Sequence, residues 1–170
     1  EILIISIARI VNRIKRFDIS LKAVSLLENK YKYIIAGDGQ DKKLIEKYIN
    51  KLGLSDRAII IGYVDNPIKY INMSNIVIAA MIGSYPGLAG LQAGISGKAL
   101  IGIQINKDYY GEKDIIWSSN DPHKIALKIQ SLENTAEYEK YTRNVKDFLL
   151  ERHSLENFHR EYNNIFLGLQ

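Results

Sequence analysis

Residues 76 to 103 read Ile76-Val-Ile-Ala-Ala-Met-Ile-Gly-Ser-Tyr-Pro-Gly-Leu-Ala-Gly-Leu-Gln-Ala-Gly-Ile-Ser-Gly-Lys-Ala-Leu-Ile-Gly-Ile103. A short apolar run opens the segment, and a second one closes it from Ala99. Between them a glycine-punctuated loop leads into a helical stretch over 87–95. Two strands joined through a helix belong to a parallel sheet. The loop also has chemistry of its own. A helix entered through glycines presents free backbone N–H groups and the positive end of its dipole, which suits a phosphate. Pro86 presets one turn, while Gly87 and Gly90 remove the Cβ atoms that would hold an anion away from the backbone. Ordinary strand-to-helix turns also contain glycine, so this loop gains meaning from its neighbours.

The same alternation extends in both directions. Strands are predicted over Ile2–Ile7, Tyr31–Ala36, Ala58–Ile61, Ile76–Ala79, Ala99–Ile103 and Ile115–Trp117. Most are continuously apolar, as strands covered by helices on both faces must be. Helices are predicted over 17–29, 41–52, 66–72, 87–95, 122–133, 135–151 and 155–167. Asp18 or Ser20 is available to cap the first, Gly53 to stop the second, Asn120-Asp121-Pro122 to open the fifth, and Ser154 to cap the last. The expectation is one doubly wound, Rossmann-like α/β domain with a parallel sheet of about six strands and helices on both faces. The chain begins directly on a strand, without an initiator Met, and is read as a fragment of a longer two-domain protein.

Composition excludes several classes. The chain has 170 residues, enough to bury a core without staples, and no cysteine, so disulfide frameworks and thiolate metal sites are ruled out. That absence fits a reducing, cytoplasmic setting. A net charge of +4, from 23 basic and 19 acidic residues, is too small and too scattered to argue for nucleic acid. No apolar run approaches the ~18 residues of a transmembrane helix. His123, His153 and His159 lack metal-pair spacing, so no bound metal is expected. No nucleophile elbow, Walker A loop or dinucleotide fingerprint occurs. The aromatics of the last two helices, among them Tyr138, Tyr141, Phe148 and Phe158, read as packing residues rather than a stacking platform.

In doubly wound sheets ligands bind beyond the carboxyl ends of the strands. Five turns form that edge here: 7–16, 36–41, 62–67, 80–88 and 103–113. The first carries four cations, Arg9, Arg13, Lys15 and Arg16, able to neutralise a diphosphate or simply to form a solvated basic loop. The second, Gly37-Asp38-Gly39, lets the chain turn tightly. The third offers Tyr63 and the backbone near Val64 to a flat base, with Tyr63 as a core residue the competing reading. The fifth, Gln104 to Glu112, is polar and tyrosine-rich. It either contacts a sugar or stands free.

In this order the pieces resemble the C-terminal, nucleotide-sugar-binding half of a group 1 (family 4) glycosyltransferase of the GT-B fold. The resemblance is carried by Ile5-Ser-Ile-Ala-Arg9 with Lys15-Arg-Phe-Asp18, Tyr33-Ile-Ile-Ala-Gly-Asp-Gly39, and Ile59-Ile-Ile-Gly-Tyr-Val-Asp65. Tyr70, Ser74-Asn-Ile-Val-Ile78, the glycine loop with Ser96-Gly-Lys98, and Asn120-Asp-Pro122 continue it along nearly the whole chain. The resemblance implies transfer of a sugar, with retention, from a UDP- or GDP-linked donor to a glycan or lipid-linked acceptor, and no cofactor or metal bound by the protein. It implies that Arg9 and Lys15 hold the donor diphosphate, with one residue more between them than the family pattern has, which leaves Arg13 and Arg16 as neighbours for the same role. It further implies that Gly37, Tyr63 and Val64 lie at the nucleotide, and that Gly87, Leu88, Ala89, Gly90 and Leu91 offer amides to the phosphate or sugar.

Two departures stand out. Many relatives carry two glutamates where this chain has Ser84 and Gln92. Gln92 can still meet a ribose diol as a neutral amide, whereas Ser84 is shorter than Glu. Pro86-Gly87-Leu-Ala-Gly90-Leu91 resembles a P-G-x-x-G-L variant of the loop, and the usual glycine pair and P-E segment give way to 104–113. The resemblance therefore points first to a transferase whose isolated domain is inactive without its N-terminal half. A non-catalytic partner subunit is the alternative, and half of a nucleotide-sugar epimerase the remoter one.

Overall fold

Among the described residues the apolar runs become five strands, all parallel, in the spatial order Ala58–Gly62, Tyr31–Ala36, Ile2–Ile7, Ile76–Gly83, Ala99–Ile105. The structure, a computed structural model, describes residues 1–83, 86–105 and 115–167. Along the chain they are β1 (Ile2–Ile7), α1 (Asn12–Lys15), α2 (Phe17–Ser25), β2 (Tyr31–Ala36), α3 (Lys42–Lys51), β3 (Ala58–Gly62) and α4 (Pro67–Met73). There follow β4 (Ile76–Gly83), α5 (Gly87–Ile95), β5 (Ala99–Ile105), α6 (Pro122–Ser131), α7 (Thr135–Arg152) and α8 (Leu155–Leu167).

Successive strand residues point to opposite faces, and both faces are buried. Ile4, Tyr33, Ile76 and Ile78 join a core with Phe17 and Leu21 of α2, Ile45 of α3 and Ile125 of α6. Ile5, Val77 and Leu100 join a second core with Ile71 of α4, Leu91 of α5, and Val145 and Leu149 of α7. This two-sided burial explains why the strands read as unbroken apolar runs. The helices of the second layer approach closely. A Cβ at Gly94 would lie 2.4 Å from Leu149 Cδ1 and 3.0 Å from Val145 Cγ1, so α5 meets α7 through a missing side chain.

Helix ends follow the expected chemistry at several points. Asn66 Oδ1 accepts from Lys69 N, and Asp121 Oδ1 accepts from His123 N at 2.9 Å, each with proline at the first helical position. Gly53 takes φ +65° after α3, and Ser154 Oγ accepts from Asn157 N at 3.0 Å at the start of α8.

Three expectations need adjusting. The 7–16 turn contains the short helix α1. Neither Asp18 nor Ser20 caps α2: Arg16 precedes that helix in the left-handed region at φ 50°, with Asp18 in the first turn and Ser20 buried. The strand expected over Ile115–Trp117 shrinks to one bridge between Gly102 and Ser118. There Gly102 N donates to Trp117 O at 2.9 Å and Ser119 N to Gly102 O at 3.1 Å. The Tyr141 hydroxyl ties this segment to β5, donating to Leu100 O at 2.5 Å and accepting from Trp117 N at 3.1 Å. Among the described residues no helix is long and apolar enough to cross a membrane.

Tyr33 is fully buried on β2, and burial pushes its phenol from 10.0 up to about 12. The folded state therefore keeps its proton while the unfolded state releases it, so stability is lost as pH rises from about 10 towards 12. Chemical denaturation at successive pH values should show this decline, and Tyr33→Phe should flatten it. An equally steep decline in the variant would assign the loss to other tyrosines.

Candidate functional site

The central strands β1 and β4 pair only at Ile4↔Ile76 and Ile5↔Val77 before they part. Here the strand order reverses, and the connections leave for opposite faces, which is where doubly wound sheets open a crevice. A cavity of about 310 Å³ occupies that place. Ser6, Phe17 and Val77–Ala79 line its interior, with Arg9 and Lys15 from one connection and Pro86–Gly90 from the other.

The cation-bearing connection is held by backbone. Ala8 N donates to Ala36 O at 3.1 Å, and Ile10 N to Asp38 O at 2.8 Å. Asp41 N returns to Ile10 O at 3.2 Å, and Asn12 N donates to Asp41 Oδ2 at 2.7 Å. Asn12 Oδ1 then accepts from Asp18 N at 3.0 Å, bracing α1 against α2. So close an approach needs the second turn's glycines. A Cβ on Gly37 would lie 1.9 Å from Ala8 O, and one on Gly39 would lie 2.4 Å from Ile10 O.

This arrangement sorts the four cations of the first turn. Arg9 and Lys15 line the crevice, whereas Arg13 is exposed and is not among the lining residues. Arg16 is engaged by Asp18, with Nε 3.1 Å from Oδ1 and Nη2 3.2 Å from Oδ2. That hydrogen bond raises the Arg16 pKa further. Lys15 is therefore the cation of this turn that shares the crevice lining with Arg9.

The opposite wall is the start of α5. Its N-cap is Pro86, which forms no side-chain cap, and Gly87 opens the helix at φ +68°. The amides of the first turn thus have no helical acceptor, and with the dipole they favour an anion. A Cβ at Gly90 would lie 2.8 Å from Pro86 Cβ and 3.3 Å from Ala79 Cβ, so this glycine lets the first turn sit close on β4. Leu88 is 69% exposed at the mouth. Leu91 instead packs in the second core, and with Pro86 as N-cap the Gly90 and Leu91 amides bond within the helix to the Pro86 and Gly87 carbonyls, which narrows the expected anion-facing set to Gly87–Ala89. Gln92 is half-buried and lies outside the cavity lining. Ser84 and the 106–113 part of the fifth turn lie outside the described residues.

A second cavity, about 400 Å³, adjoins the first. Ile7, Ala8 and Arg9 line both, and Ala36–Asp38, Tyr63, Val64, Asp65 and Pro67 complete the second. Tyr63 is 78% exposed there, so it is a surface residue and not core. Gly37 N donates to Gly62 O at 2.7 Å, joining the ends of β2 and β3 under this cavity. Gly37, Tyr63 and Val64 thus share one crevice, and Arg9 connects it to the crevice of Lys15 and α5. Among the described residues no cluster of three or more His, Asp or Glu side chains could hold a metal.

The family model for glycosyl transferases group 1 matches residues 1–148. The chain belongs to this family. Among solved structures, a mutant of TarM from S. aureus, in complex with fondaparinux, alpha-GlcNAc-glycerol and UDP, aligns with TM-score 0.82 at 22% identity over 98% of this chain and 35% of that one. HepE from Anabaena, in complex with UDP and glucose, aligns with TM-score 0.84 at 15% identity over 99% of this chain and 48% of that one. The C-terminal domain of LpcC, a group 1 family protein from Francisella tularensis, aligns with TM-score 0.74 at 20% identity over 90% and 87% of the two chains. The chain thus spans between about a third and a half of TarM and HepE. No match is found among curated protein sequences. Family and fold agree for this chain.

Sequence reasoning missed the supports of the site. Ser6, Phe17 and Ile78 of the floor look like any other strand or helix residues, and the contact between Gly39 and Ile10 exists only in three dimensions. Asp18 was read only as a helix cap, and Asn12 and Asp41 were not singled out, so the brace they form appears only in the structure. Replacing Gly39 by Ala forces the Ile10 backbone to move, and overpacking of this kind costs about 1–3 kcal/mol. Denaturation should show Gly39→Ala destabilised by that order, and an unchanged midpoint would mean the loop yields without strain.

Proposed function

We propose that the chain is a single nucleotide-sugar-binding domain of a longer, two-domain retaining glycosyltransferase. Its donor is a UDP- or GDP-linked sugar. Its acceptor, a glycan or a lipid-linked glycan, docks on the part of the protein outside this chain. The observation that carries the reading is the position of Arg9. It lines the crevice of Lys15 and the α5 first turn, and equally the crevice of Tyr63 and Val64.

A nucleoside diphosphate matches that arrangement. The base lies in the crevice of Tyr63 and Val64, against an aromatic face and main-chain hydrogen-bonding groups. The diphosphate passes Arg9 and enters the first crevice, where Lys15 and the amides of Gly87–Ala89 face it. The linked sugar lies beyond, towards Leu88. In the reaction the bond between the sugar's anomeric carbon and the β-phosphate oxygen breaks, and a bond to the acceptor hydroxyl oxygen forms. The products are the glycosylated acceptor, the nucleoside diphosphate and a proton. Negative charge grows on the diphosphate as it leaves, and cations with preorganised amides already aimed at it lower that barrier. The UDP in the TarM and HepE complexes supports a nucleotide in this fold.

Calorimetric titration of the full-length protein with UDP and GDP tests the reading. Each charged hydrogen bond is worth about 1.5–3 kcal/mol, so Arg9→Ala with Lys15→Ala should weaken the preferred nucleotide on the order of a hundredfold or more. Arg13→Ala, outside the crevice, should leave affinity nearly unchanged. A double variant that binds like wild type contradicts the assignment. Absence of any nucleotide binding in wild type would favour a non-catalytic partner subunit.

A further inference from the structure

The point at which β1 and β4 part carries a buried hydroxyl pair. Beyond Ile5↔Val77 the two strands have no further register pair, and the next carbonyl on β4, that of Ile78, is met by a side chain. Ser6 Oγ donates to Ile78 O at 2.7 Å and lies 2.8 Å from the Tyr33 hydroxyl. A serine hydroxyl has one proton, and here it goes to Ile78, so Tyr33 is the donor to Ser6. Ser6 is 2% exposed and Tyr33 is fully buried. The pair thus links three neighbouring strands, β2 through Tyr33, β1 through Ser6 and β4 through Ile78, at the sheet's point of divergence.

Its location gives it a consequence for the site. Ser6 and Ile78 form part of the floor of the anion crevice. Arg9 lies three residues beyond Ser6 along one connection, and the α5 first turn follows Ile78 along the other. The spacing of the two walls is therefore set where β1 and β4 are last joined. An apolar residue at position 6 would leave the Ile78 carbonyl without its partner under the crevice and free the Tyr33 hydroxyl to turn to the neighbouring Ser20, and a buried carbonyl in that state moves to find water.

We propose that Tyr33 and Ser6 are positioning residues that hold the Arg9–Lys15 wall at the correct distance from the α5 amides. The inference rests on the donor-binding reading above. The effect of the pair runs through the strand ends that carry the two walls.

The test uses the full-length protein titrated with UDP and with GDP, the tighter of the two then serving as probe. Ser6→Ala should weaken the probe about tenfold, the ratio that corresponds to the loss of one net hydrogen bond. Ser6→Thr, which keeps the hydroxyl, should bind within about twofold of wild type. Tyr33→Phe should weaken binding severalfold. Leu132→Ala, a core truncation remote from the crevice, supplies the control: it should lower the melting temperature without changing affinity. Affinity unchanged in Ser6→Ala, or not restored in Ser6→Thr, overturns the proposal. Should Ser6→Ala fail to fold, Tyr33→Phe decides, and wild-type affinity in that variant overturns it equally. Wild-type protein that binds neither nucleotide overturns the donor-binding reading and this inference together, whereas wild-type binding with an unaltered Ser6→Ala removes this inference alone.

Discussion

Two parallel strands that stay paired for only two residues determine what this domain can do. β1 and β4 are neighbours in the sheet, yet their connections run to different faces, so their carboxyl ends separate. Whatever lies on those two connections is brought face to face across the gap. On one side that is Arg9 with Lys15, and on the other the uncapped start of α5. The separation is stable because both faces of the sheet are independently packed, one against α2, α3 and α6, the other against α4, α5 and α7.

The rim depends on main-chain contacts more than on side chains. The β1 connection lies along the β2 turn through the Ala8–Ala36, Ile10–Asp38 and Asp41–Ile10 hydrogen bonds, and the β2 turn in turn meets the end of β3 through Gly37 and Gly62. Such a row leaves no space for Cβ atoms at Gly37 or Gly39. It also explains why one arginine serves two crevices: the connection that carries Arg9 forms the wall between them. The basic cluster of the first turn is then divided by geometry, with Arg16 bound to Asp18 and Arg13 turned to the surface, and only Arg9 and Lys15 left on the crevice.

The five strand runs, the Asn66, Asp121 and Ser154 caps and the glycine stop at Gly53 were legible because each depends on local chemistry: burial on two faces, a short side-chain acceptor, or a positive φ. The sixth strand was not, because Ile115-Ile-Trp117 has the composition of a strand but is held mainly through Tyr141 and a single bridge to Gly102. Arg9, Lys15 and the glycine loop could be singled out from the sequence, since charge and glycine are visible there. Which cation accompanies Arg9 could not, because the answer depends on Asp18 capturing Arg16. Leu91 was read with the loop and belongs to the core, since the helix starts at Gly87 and its fifth residue already has an acceptor. The Ser6–Tyr33 pair left no local signal at all: a serine within an isoleucine run does not announce the carbonyl it will meet on another strand.

The measurement that bears most directly on this account is a crystal structure of the full-length protein with UDP or GDP bound. The account places the diphosphate between Arg9, Lys15 and the amides of Gly87–Ala89, with the base beside Tyr63 and Val64. A nucleotide bound with its phosphates away from the gap between β1 and β4, and with Arg9 touching neither phosphate nor base, would contradict it.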